Sequence, residues 1–147
     1  MPDSTSQLNL STLRTIGNTP IVQLRKVVPQ NSADVLIKLE YFNPTGSYKD
    51  RMALAMIEEA EGRGDLRPGM TVVEYTGGST GSSLAFVCAV KGYLLRVVSS
   101  DAFAKEKLDT MRAFGAVLEI ISILDGKITH DLIPRMKIGR ASCRERV

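Results

Sequence analysis

The chain has 147 residues, enough for one domain with a core of its own. It is 44% hydrophobic and 24% charged, an ordinary globular balance. Its formal charge of +3 is too small and too scattered to specify nucleic acid or a membrane surface. The two cysteines, Cys88 and Cys143, form no CxxC pair, so neither a zinc site nor a disulfide framework is indicated.

Residues 1–14 are polar, rich in Ser, Thr and Asn, and read as an N-terminal arm. No secretory pattern opens the chain and no apolar run reaches the length of a membrane span, so the expectation is a cytoplasmic protein. Ile16-Gly17-Asn18-Thr19-Pro20 reads as a turn, punctuated by Gly and Pro. Ile21 to Leu24 can form a short strand, which Pro29 to Ser32 breaks. Asp34 to Glu40 is mostly apolar and predicts a buried or half-buried strand.

Pro44 and Gly46 then make a turn, and Ser47 is the expected N-cap of a helix over residues 48–62. Asp50 lies near the positive end of that helix's dipole. Met52, Met56 and Ala60 recur at i, i+4 and i+8 beside Ala53 and Ile57. Glu58, Glu59 and Glu61 are expected toward solvent, and Gly62 and Gly64 close the helix. After the Pro68-Gly69 turn, Met70 to Tyr75 reads as a strand. Ser82 to Lys91 reads as a helix that is apolar nearly all round, and therefore buried, with Gly92 capping it. Cys88 within it reads as a small hydrophobe. Tyr93 to Val98 is the next strand. Lys105 to Phe114 is an amphipathic helix carrying Leu108, Met111 and Phe114, closed by Gly115. Ala116 to Ile121 is a further strand, and a last helix begins at Thr129. Strand and helix thus alternate from residue 70, which predicts βαβ units and a parallel α/β sheet flanked by helices.

Residues 138–147 continue no helical or strand pattern. They resemble, residue for residue, one reading frame of a short-read sequencing adapter. The expectation is that the native frame stops at about residue 137 and that Cys143 and the tail arginines carry no functional information.

Two stretches can carry chemistry. In Asn43 to Arg51, Lys49 stands in the first turn of a helix, where the dipole and burial both disfavour an ammonium group. A neutral amine is what a Schiff-base lysine needs. A solvated surface lysine, with Asp50 and Arg51 in a surface ion network, is the other reading. In Glu74 to Gly81, Gly77-Gly78-Ser79-Thr80-Gly81 follows a strand and opens a helix. Backbone N–H groups and the helix dipole there can receive a phosphate or carboxylate, and Thr76, Ser79 and Thr80 add hydroxyls. It has neither the Gly-Lys-Ser/Thr of a P-loop nor GxGxxG spacing, and a tight connection packed through its glycines remains the alternative. His130, the only histidine, reads as a capping or exposed residue, and no metal site is expected.

IGNTP (Ile16–Pro20), NPTGSYKDR (Asn43–Arg51) and EYTGGSTG (Glu74–Gly81), in this order, resemble the cysteine synthase and cystathionine β-synthase family of fold-type II pyridoxal-phosphate enzymes. The resemblance runs from Thr15 to Lys137. It implies pyridoxal 5′-phosphate as cofactor, with Lys49 as the lysine that carries it and removes the substrate α-proton. Thr76, Gly77, Ser79 and Thr80 would grip the substrate α-carboxylate. The family usually has asparagine where Ser79 stands, facing the cofactor's 3′-hydroxyl, and proline and serine where Tyr75 and Gly77 stand. The implied reaction is β-replacement on an O-activated L-serine, in a protein that is a homodimer at full length. The family's phosphate-binding loop and its partner for the pyridine nitrogen lie beyond residue 137, so residues 15–137 are expected to be a partial, inactive domain. A β-eliminating lyase or serine/threonine dehydratase, and a non-catalytic α/β module that binds a small anion, are the other readings.

Overall fold

A computed structural model describes residues 11–123 and Pro134. Most of the polar arm, His130, the expected helix from Thr129 apart from the helical Pro134, and the 138–147 tail lie outside the described residues.

The expected alternation is present. Strand β3 (Thr71–Tyr75), helix α2 (Ser79–Lys91), strand β4 (Leu94–Ser100), helix α3 (Lys105–Ala113) and strand β5 (Val117–Ile121) follow one another, after helix α1 (Lys49–Gly62). The strands form a parallel sheet in the order β3-β4-β5, with Tyr75 opposite Val98 and Ser100 opposite Ile121. Because each crossover moves one strand in the same direction, α2 and α3 lie on one face and pack against each other.

Helix α2 is the hub of the core. Gly81 to Cys88 are all buried, which agrees with its all-round apolarity, although Ala89 and Val90 emerge before Gly92 ends it at φ +79°. Leu84, Val87 and Cys88 pack with Ala53 and Ile57 of α1, Leu95 and Val97 of β4, and Met111 of α3. Phe86 and Phe114 meet edge to face at 5.6 Å. Val98 points to the opposite face of the sheet, with Val73, Tyr75, Phe103 and Ile121. Burying one such Leu or Met contributes about 1.5–3 kcal/mol. Among the described residues no helix is long and apolar enough to cross a membrane.

Four expectations are corrected. The strand expected over 34–40 shortens to β2 (Leu36–Lys38), which pairs antiparallel with β1 (Ile21–Gln23). Both are exposed rather than buried, with Leu36 64% accessible, because no described element covers them. Glu40 leaves the strand to start a short 3-10 turn, Glu40–Phe42, since its side chain is held by α1. The buried stripe of α1 is Asp50, Ala53 and Ile57, whereas Met56 faces out. Glu61 does not face free solvent: it accepts from Lys91 Nζ at 2.7 Å and from the Tyr93 hydroxyl at 2.8 Å, tying the ends of α1 and α2 together.

Candidate active site

The segment around Lys49 is built by a set of polar contacts. Tyr48, rather than Ser47, occupies the N-cap position of α1, in helical geometry. Ser47 still serves the helix start, accepting the Lys49 N–H at 3.2 Å on its Oγ. Lys49 is half-buried, and its Nζ lies 4.6 Å from the centroid of the Tyr48 ring.

Asp50 is not part of a surface network. It is completely buried and accepts the Thr45 N–H at 2.8 Å and the Thr45 hydroxyl at 2.5 Å. The same Thr45 Oγ1 lies 3.2 Å from Ser83 Oγ, on the second turn of α2. The start of α1 is thereby fixed against the start of α2.

Arg51 turns the other way. Its Nε and Nη2 donate to the two oxygens of Glu40 at 2.9 and 3.0 Å, and Nη2 also donates to Thr19 Oγ1 at 3.1 Å. This fork, helped by the Thr19 hydroxyl, pulls the Glu40 carboxyl down to about 2. Asn43 completes the joint, donating to Glu40 and accepting the Gly17 N–H at 2.9 Å. A Cβ on Gly17 would lie 2.9 Å from Arg51 Nη1, and Gly17 also sits at φ +89°, so glycine is required there twice over.

The second segment forms the turn from β3 into α2. The Thr76 N–H donates to Val98 O at 3.0 Å, extending the sheet by one bond. Gly78 is the N-cap and no side chain caps the helix. The helix begins at Ser79, three residues before the predicted start, so Ser79 and Thr80 ride in its first turn with uncapped N–H groups beside them. A Cβ on Gly81 would come within 2.5 Å of the Met111 methyl and 2.7 Å of Thr76 Cγ2, whereas Gly78 faces open space. Thr76, Gly77, Ser79 and Thr80 thus share one strand–helix corner. Lys49 stands on the neighbouring helix start, joined to that corner through Thr45 and Ser83.

Sequence reasoning missed Thr19, Glu40, Asn43, Thr45 and Ser83 as parts of the site's frame. Only Asp50 left a usable trace, since it continues the Ala53–Ile57 spacing back to the helix start. Cys88 lies in the core, and burial pushes its thiol up to about 11, which fits a packing role.

The family model described as "Pyridoxal-phosphate dependent enzyme" matches residues 12–136. A cysteine synthase from Staphylococcus aureus (strain Mu50) is 54% identical over 103 residues, covering 70% of this chain and 33% of its own length. Cysteine synthase B from Escherichia coli (strain K12) is 47% identical over 114 residues, 77% of this chain and 38% of its own. The chain therefore spans about a third of the curated relatives it matches. Among solved structures, an O-ureido-L-serine synthase superposes with a TM-score of 0.83 at 37% identity, over 93% of this chain and 41% of its own. A hydrogen sulfide-producing enzyme from Fusobacterium nucleatum gives 0.83 at 32% identity, over 99% and 45%. The residues present include the chemistry that the reacting end of such a cofactor needs: a half-buried lysine at the start of α1, and a helix α2 whose N-terminus has no side-chain cap and carries hydroxyl residues.

Proposed function

The chain belongs to the pyridoxal-phosphate dependent enzymes, and on that premise we propose that it is the lysine-bearing part of a β-replacement enzyme of the cysteine synthase type. The observation that supports the proposal is the clamp from Asp50 through Thr45 to Ser83, which joins the start of α1, where Lys49 stands, to the start of α2.

When bound, the cofactor supplies the electron sink for negative charge at the amino acid's α-carbon. Lys49 would hold it covalently, and its Nζ would be the base that receives the substrate's α-proton. Thr76, Gly77, Ser79 and Thr80 receive the α-carboxylate at the N-terminal end of α2, where N–H groups and the helix dipole favour an anion. Ser79 would also hold the cofactor, as a shorter group than the family's usual asparagine. An acetate-like group leaves the β-carbon and sulfide or a thiol adds there. The proton returned to the α-carbon balances the exchange. The full-length protein is a homodimer acting on a small amino acid.

A second reading, β-elimination, is favoured by the likeness to the hydrogen sulfide-producing enzyme. Full-length protein given O-acetyl-L-serine and sulfide should release cysteine, and Lys49→Ala should abolish it. A 2-oxo acid formed equally with and without sulfide would instead assign elimination. Ligand binding unchanged in Lys49→Ala, with no turnover in either protein, would leave only a non-catalytic anion-binding module.

A further inference from the structure

The Gly77–Gly78 corner has one open side and one closed side. Gly78 faces open space, but a Cβ built on Gly77 would lie 1.9 Å from Phe103 Cγ, 2.0 Å from Cδ2 and 2.4 Å from Cδ1. Non-bonded carbons need more than 3 Å, so a side chain at 77 and the ring at 103 exclude each other. Gly77 is not in the left-handed region, so close approach, not backbone conformation, demands the glycine.

The ring packs against the sheet and its backbone is held. Phe103 is half-buried on the second face of the sheet, beside Tyr75 and Val98. Its loop is pinned: Phe103 N–H donates to Ser100 O at 3.2 Å, and Ala102 N–H to Ser100 Oγ at 3.2 Å. Asp101 Oδ1 accepts the Ile123 N–H at 3.0 Å, which ties the loop to the residues after β5. An aromatic ring on a pinned loop therefore lies on the backbone that precedes the N-cap of α2.

We infer that Phe103 is a positioning residue for the carboxylate corner: its ring, seated on Gly77, fixes the peptide planes from which the Ser79 and Thr80 N–H groups meet the ligand. The inference rests on the carboxylate reading above. Glycine at 77 and a large ring at 103 form a matched pair, and serine there would need a smaller neighbour.

The test uses the full chain as native, Gly77→Ser, Phe103→Ala and the double variant. Two readouts need no ligand: the melting temperature, and NMR hydrogen exchange of the 77–80 amides. A third is the perturbation of those amides by L-serine. Gly77→Ser should lower the melting temperature when Phe103 is present and leave it nearly unchanged in the Phe103→Ala background. Phe103→Ala should speed exchange of the 77–80 amides on the order of tenfold more than that of the β4 amides, and weaken the L-serine response. Equal cost of Gly77→Ser in both backgrounds, or loop exchange rising no more than that of β4, would overturn the inference. If both ligand-free readouts behave as expected while L-serine perturbs no loop amide in the native chain, the carboxylate reading has failed. Phe103 is then a loop-ordering residue only, and its assignment as a ligand-positioning residue falls with that reading.

Discussion

Replacing Asp50 by alanine should lower stability by about 3 kcal/mol, and the figure follows from what surrounds the carboxylate. Asp50 is fully buried and accepts the Thr45 N–H at 2.8 Å and the Thr45 hydroxyl at 2.5 Å. Hydrogen bonds to a charged group contribute roughly 1.5–3 kcal/mol each, and a favourable charge at a helix N-terminus adds about 0.3–1. Against this, alanine removes the desolvation cost of a buried carboxylate. The Thr45 hydroxyl can also turn to Ser83 Oγ, 3.2 Å away, which leaves the Thr45 N–H as the main orphan. At roughly 2–4 °C per kcal/mol for a chain of this size, the melting temperature should fall by about 6–12 °C. Asp50→Asn should be milder, near 1 kcal/mol, since Oδ1 can keep the Thr45 N–H and Nδ2 can donate to Thr45 Oγ1. Thermal unfolding followed by circular dichroism reads both. Asp50→Ala melting within about 2 °C of native, or Asp50→Asn melting below Asp50→Ala, would refute the proposed clamp.

Glu40 gives a pH signature. Its carboxyl is held down from 4.5 to about 2, first by the Arg51 bond and then by Thr19. A depressed carboxylate contributes stability that is present above the unfolded value and lost as pH falls through the folded one. The urea midpoint should therefore fall between pH 4.5 and 2, and Glu40→Gln should flatten that part of the profile while lowering stability above it. Cys88, with its thiol pushed up to about 11 and its side chain in the core, should resist Ellman's reagent in the native state and react on adding denaturant. A Cys143→Ser background isolates this signal, and fast labelling of the native protein would contradict the packing of α2.

Local patterns predicted the parallel sheet and the burial of α2 because both rest on one-dimensional signals. A helix apolar on all sides has nowhere to go but the core, and strands separated by Gly-closed helices pair in parallel. The face of α1 was not legible in the same way. Its buried stripe starts on a carboxylate, Asp50, which hydropathy reads as solvent, while Met56 reads as core and faces out. The Arg51–Glu40–Thr19 joint left no local signature either, because its partners lie 11 and 32 residues away from Arg51. The exposure of β2 is not legible because apolar residues report a tendency to be covered, not the presence of a cover. The start of α2 is hard to read from sequence because Gly78-Ser79-Thr80-Gly81 looks like loop. The helix begins there because the Gly81 and Ser82 N–H groups both donate to Gly78 O, closing its first turn.

The central claim, that Lys49 is the residue that holds pyridoxal phosphate, is tested most directly by borohydride trapping. The full-length protein is incubated with pyridoxal phosphate at stoichiometric concentration, reduced, digested and mapped by mass spectrometry. The account predicts that the label concentrates on the Lys49 peptide, in excess over the far more exposed Lys105, whose side chain is 85% accessible. Label spread over Lys105 and the other surface lysines, with Lys49 unmodified, would contradict it.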